Sequence, residues 1–159
     1  MKLNQISSSR IKKIFSKIYR PIRLALRLLQ KAIANPKYIP LCFWAFKQLS
    51  WVDRDLQNMA IAALKTPTQN SLPPLNSDLK QAIRERAVAI FWTTKIHPLR
   101  PKCLHRSLAL YHWLLEQGVS PKLEIGWGGD IGHAWVTYDG LVLNDSPNVA
   151  ESMTPFTRF

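Results

Sequence analysis

At 159 residues and 47% hydrophobic composition, the chain is long enough for one domain with a real core and too apolar to be disordered. Its net charge of +12 directs attention to acidic partners, while no apolar run approaches the ~20 residues that a membrane span needs. Two cysteines, Cys42 and Cys103, cannot build a disulfide framework, and the polar, basic start of the chain lacks a signal-like apolar segment, so the expected setting is the reducing cytoplasm.

The positive charge is concentrated at one end. Residues 1–52 hold eleven Lys or Arg, and the first acid is Asp53. Ile11, Ile14, Phe15, Ile18, Ile22, Leu26, Leu29 and Ile33 recur at helical spacing between these cations, with Pro21 dividing or kinking the run. The spacing predicts basic amphipathic helices whose apolar stripe packs on a core and whose charged face is solvated. That face suits an acidic protein partner, a leader peptide or a membrane surface. Nucleic acid is disfavoured, because no groove-reading motif accompanies the charge.

Residues 35–65 continue as one or two helices carrying Phe43, Trp44, Phe46, Leu49, Trp51, Val52, Leu56, Met59, Ile61 and Leu64. Helical spacing alone explains these aromatics, so they are expected in the core, with Cys42 an inert buried thiol among them. The stretch 66–77, rich in Pro, Thr, Asn and Ser, reads as a linker or loop. It divides a helical N-terminal part, 1–65, from a core at 78–159. Ser77 or Asp78 then opens a helix through Leu79, Ile83, Ala87, Ile90 and Phe91. Thr93 to Pro101 connects it to a neighbouring helix and is a candidate rim for a site.

That second helix starts at Pro101-Lys102-Cys103, runs through Leu104, Leu108, Tyr111 and Leu115, and meets a capping glycine at Gly118. Cys103 lies in its first turn, where unpaired N–H groups and the positive end of the helix dipole favour a thiolate. After Gly118 the period becomes two. Leu123, Ile125 and Trp127 mark a strand, Ile131–Tyr138 a second, and Leu141–Asp145 a third. Residues 149–159 show no functional signal. A three-residue loop at Tyr138-Asp139-Gly140 sets His133 directly opposite Asp145, whereas a two-residue loop turns Asp145 to the other face. The three-residue form is expected, with His133, Trp135, Leu141, Leu143 and Asp145 sharing the face beneath the Cys103 helix.

A thiol at a helix start followed by His and Asp on strands is the layout of a cysteine nucleophile, its base and its orienting carboxylate. Cys103, His133 and Asp145 take those roles, and the Cys103 N–H is a candidate oxyanion donor. Trp127, near the hairpin turn, is a candidate substrate contact. His105 lies about 200° around the helix from Cys103 and cannot converge with it. His97 and His112 have no partner at metal-ligand spacing, so neither a metal nor another cofactor is expected.

The segments CLHRSLALYHWLLEQGVSPKLEIGW and GHAWVTYDGLVLND closely resemble the leader peptidase of lasso-peptide biosynthesis, a branch of the transglutaminase-like (papain-like) superfamily. The resemblance covers roughly residues 79–147, carried by C-L-x-x-[SA]-L-A-L, G-H-A-W-V and the trailing N-D in combination. It implies an α+β fold, a Cys103–His133–Asp145 triad and removal of a precursor peptide's leader. Three partners follow from it: the precursor, a separately encoded leader-recognition protein and an ATP-dependent lasso cyclase. The GGDI connection before His133 is short, and the first sixty residues match only loosely. With no leader-recognition segment evident, weak activity is expected for the chain by itself.

Overall fold

The computed structural model describes Gln30, residues 33–58 and residues 75–158. The chain forms two compact units, Met1–Lys37 and Tyr38–Phe159. Almost all of the basic amphipathic arm, the end of the expected aromatic helices from Met59 to Lys65, and residues 66–74 of the expected linker lie outside the described residues. The second unit begins ahead of that linker, so the aromatic helix is built into the same unit as the strands.

Helix α1, Tyr38–Asn58, starts after Pro36 and carries Pro40 in its first turn, where the missing N–H costs nothing. Ala45, Leu49 and Val52 form its buried stripe, extended by Leu41, Cys42 and Leu56. Not every aromatic follows. Trp44 packs on the core, edge-on to Trp113, but Phe43, Phe46 and Trp51 are exposed, contrary to the expectation that all are core. A stripe at 3.6-residue spacing has room for one face of the helix, and these three lie off it.

Helix α2, Ser77–Thr94, is capped by Asn76, whose Oδ1 accepts the Leu79 N–H at 2.7 Å. Helix α3, Cys103–Glu116, buries residues nearly all round, from Ser107 to Leu114, and is therefore the central helix. Gly118, at φ +72°, ends it: the Gly118 and Val119 N–H groups return to the Leu115 and Leu114 carbonyls, a Schellman cap. Between α2 and α3, buried His97 pins the connection to α1. Its Nδ1 accepts the Leu99 N–H, and its Nε2 lies 3.1 Å from Ser50 Oγ and 3.3 Å from the Phe46 carbonyl.

The remainder is an antiparallel sheet in the order β3-β2-β1-β4, from β1 Lys122–Gly128, β2 Ile131–Tyr138, β3 Leu141–Val142 and β4 Thr154–Arg158, with the short helix α4 Pro147–Glu151 before β4. The fold is thus α+β: helices followed by a small four-stranded sheet. Strand β4, in a tail where the sequence showed nothing, pairs with β1 and shifts register at Ile125/Gly126. Helix α3 packs on the face carrying Leu123 and Val136, a directly opposed pair. Trp135 alternates to the other face, over Gly126, where an added Cβ would lie 2.8 Å from its ring and 2.7 Å from the Thr154 carbonyl. The expected sharing of one face by His133, Trp135 and Leu143 therefore fails: Leu143 packs on the α3 cluster and Trp135 does not.

His112 on α3 stands edge-on to Trp51, with ring centroids 4.9 Å apart, and burial lowers its pKa despite the opposing pull of Asp55 and Glu116. The unfolded chain then takes up this proton first as pH falls, so stability present above about pH 6.5 is lost below it. Between pH 7.5 and 5.5 the wild-type melting temperature should fall more than that of His112→Leu. Parallel curves would contradict the assignment.

Candidate active site

Cys103 is the first residue of α3, half-buried, behind an extended Lys102. Two ties fix this helix start. The Lys102 N–H meets His105 Nδ1 at 3.4 Å, and His105 Nε2 donates to Asp53 Oδ1 of α1 at 3.2 Å. His105 points away from the cysteine, as its spacing requires, and anchors the turn instead.

His133 lies on β2 with Nε2 2.7 Å from Asp145 Oδ2, the two side chains only 14% and 21% exposed. The other carboxylate oxygen accepts the Ser146 N–H at 2.8 Å, so Asp145 is held at both ends. Trp135 stacks near the imidazole, the centroids 6.1 Å apart and the planes at 19°. A carboxylate at Nε2 selects the Nε2–H tautomer and leaves Nδ1 as the nitrogen able to take a proton.

This contact does not arise from the expected loop. Tyr138 pairs with Leu141 and Thr137 with Val142 across a two-residue turn at Asp139 (φ +50°) and Gly140 (φ +75°). Carried further, that register would put Asp145 beside Ala134 on the wrong face. The ladder stops instead. Leu143 still donates to the Val136 carbonyl, but the Val136 N–H is taken by Asn144 Oδ1 at 2.8 Å rather than by a backbone oxygen. The chain bends over 143–145, and Asp145 swings onto His133.

Asn144 also donates to Ser107 Oγ at 2.9 Å, and Ser107 donates to the Ala134 carbonyl at 2.8 Å. Ser107 is fully buried and lies one turn along α3 from Cys103, on the same helix face. The thiol-bearing helix start is therefore about one turn, ~6 Å, from a clamp on the strand residue next to His133. His133 and Asp145 meet directly, and Cys103 opens the helix clamped beside them. Ser107 and Asn144 lie within the quoted motifs, but a serine inside a helix and an asparagine before an acid carry no roles of their own in a linear reading.

Cys103 also lines a cavity of about 240 Å³ with Thr94, Arg100, Pro101 and Arg106. As the first residue of α3, its N–H has no carbonyl within the helix to bond. Trp127 is 52% exposed at the hairpin end, paired with Gly132 beside His133. Among the described residues no group of three or more His, Cys, Asp or Glu is arranged to hold a metal ion. Cys42 lies on α1, and burial raises its pKa against the opposing hydrogen bond of Thr93.

The Asn144 bridge sets an expectation for stability. Asn144→Ala strands the buried Val136 N–H and should cost about 1–3 kcal/mol in urea denaturation, whereas Ser107→Ala leaves that N–H capped and should cost less. An undiminished midpoint for Asn144→Ala would contradict the bridge.

A family model described as the transglutaminase-like superfamily matches residues 41–158, about three quarters of the chain. No curated protein and no solved structure matches it.

Proposed function

Because the chain belongs to the transglutaminase-like superfamily, we propose that it is a cysteine peptidase that removes the leader from a ribosomally made precursor during lasso peptide biosynthesis. The observation that carries the catalytic part is the 2.7 Å His133–Asp145 contact beside a helix that opens on Cys103. The motif resemblance over residues 79–147 supports the choice of substrate.

In this reading His133 Nδ1 takes the Cys103 proton, and the thiolate attacks the carbonyl carbon of the last leader residue. The Cys103 N–H faces the oxyanion of the tetrahedral intermediate. Collapse breaks the C–N bond, and His133 returns its proton to the departing amine of the core peptide. Water, deprotonated by His133, then attacks the thioester carbonyl. The leader leaves as a carboxylic acid and the thiol is restored. Asp145 holds the ring and stabilises the imidazolium in both halves. No cofactor enters any step.

A separate recognition protein presents the leader, and an ATP-dependent cyclase consumes the freed core amine. This places the work in the cytoplasm. Among the described residues no helix is long and apolar enough to cross a membrane. In the proposed role the basic arm docks on an acidic partner, and a membrane surface is the competing occupant of that face.

The test is precursor cleavage with the recognition protein present, followed by mass spectrometry. Cys103→Ala should abolish product, and His133→Ala should lower the rate by about 10²–10⁴-fold. Iodoacetamide should modify Cys103 well before Cys42, whose raised pKa keeps it a thiol. Product carrying an added amine in place of water would make the protein an acyltransferase. Full pathway output from Cys103→Ala would make it an escort without chemistry.

A further inference from the structure

The cavity at Cys103 has a second property that the triad does not use. Its walls carry Lys95, Arg100, Lys102 and Arg106, four cations around about 240 Å³. Among the described residues none of the four has a carboxylate within 4 Å. Lys95 and Arg106 lie instead over the ring of Phe91, at 4.6 and 6.0 Å from its centroid, which holds both heads at the cavity. Four like charges this close repel one another, and no carboxylate of the described residues pairs with them. An anion seated among them would.

Phe91 itself walls a second cavity of about 320 Å³, lined by Arg84, Ala87, Val88, Trp92 and Leu143 and reaching Asn144 and Asp145. One cavity ends on Cys103 and the other on Asp145, and the Phe91 ring that walls the second carries two of the first cavity's cations. A chain lying across Phe91 meets four cations on the thiol side, and on the carboxylate side mostly apolar walls with one further cation, Arg84.

We propose that the cavity at Cys103 holds a substrate side-chain carboxylate, so that the enzyme selects a peptide with Asp or Glu within a residue of the scissile bond. The proposal rests on Cys103 being the nucleophile described above. Arg106 and Arg100 are its specificity-determining residues, because a guanidinium can grip a carboxylate with two parallel hydrogen bonds. Lys95 and Lys102 contribute field rather than geometry.

Two thiol reagents of near-equal size and different charge test it. Rates of Cys103 modification by iodoacetate and by iodoacetamide are measured on the full chain by peptide mass mapping, each divided by the rate for 2-mercaptoethanol. The iodoacetate ratio should exceed the iodoacetamide ratio by about tenfold at low salt and should shrink toward it in 1 M salt, where the screening length falls to about 3 Å. The preference should also shrink in Arg106→Gln and, independently, in Lys95→Gln/Arg100→Gln, whose two side chains are exposed. A second arm asks whether the occupant is peptide-borne. Ac-Ala-Ala-Asp-aldehyde or Ac-Ala-Asp-Ala-aldehyde should protect Cys103 from iodoacetamide at lower concentration than its Asn counterpart. Prompt iodoacetamide labelling without iodoacetate preference, or a preference indifferent to salt and to both variants, overturns the carboxylate cavity while leaving the nucleophile standing. Acidic aldehydes no better than their amides overturn the peptide occupant. Cys103 reacting no faster than Cys42 with either reagent removes the nucleophile and the proposal with it.

Discussion

The arrangement depends on one buried side-chain bridge. Asn144 accepts the Val136 N–H and donates to Ser107, which in turn donates to the Ala134 carbonyl. A buried polar group without a partner costs more than a typical hydrogen bond contributes, so these groups cannot be left open once Ser107 is sealed inside α3. The bridge therefore does two things together. It ends the β2–β3 ladder after Leu143, and it locks the helix that begins with Cys103 to the strand that carries His133. The Asp145–His133 contact is a consequence of where that bridge forces the chain to bend.

This explains why the site was partly legible in the sequence. The helix opening on Cys103 and the Gly118 cap each follow from local rules and appear in the structure. His133 and Asp145 were expected to touch, and they do, but through a different geometry. The expected three-residue loop would have delivered the contact by register alone. Asp139 in fact adopts positive φ, which aspartate tolerates better than most residues, and the tight turn forms. The correction of register then falls to Asn144, whose role depends on a serine 37 positions earlier. No periodicity encodes a pairing across that separation.

Other departures share that origin. Phe43, Phe46 and Trp51 are exposed because hydrophobicity alone does not say which face of α1 meets α2 and α3. Trp135 covers Gly126 rather than α3, since both faces of β2 are buried and a continuous apolar run gives no clue to the side. Strand β4 is five residues with a proline, too short to stand out, and it exists because β1 offers it an edge. His97 and His105 anchor the connection and the first turn around Cys103, roles that depend on partners in another helix or loop and that no spacing in the sequence announces.

The functional account reduces to whether the sulfur at the head of α3 forms a bond to the substrate while the histidine ring, fixed at Nε2 by a carboxylate, moves the proton. A mixture of protein, recognition partner and precursor peptide, quenched in acid during turnover and weighed intact, tests this most directly. The account predicts protein heavier by the leader mass less one water, the addition mapping to Cys103 and released by hydroxylamine. Cleaved precursor with no adduct on that residue at any time, or an adduct mapping elsewhere, would contradict it.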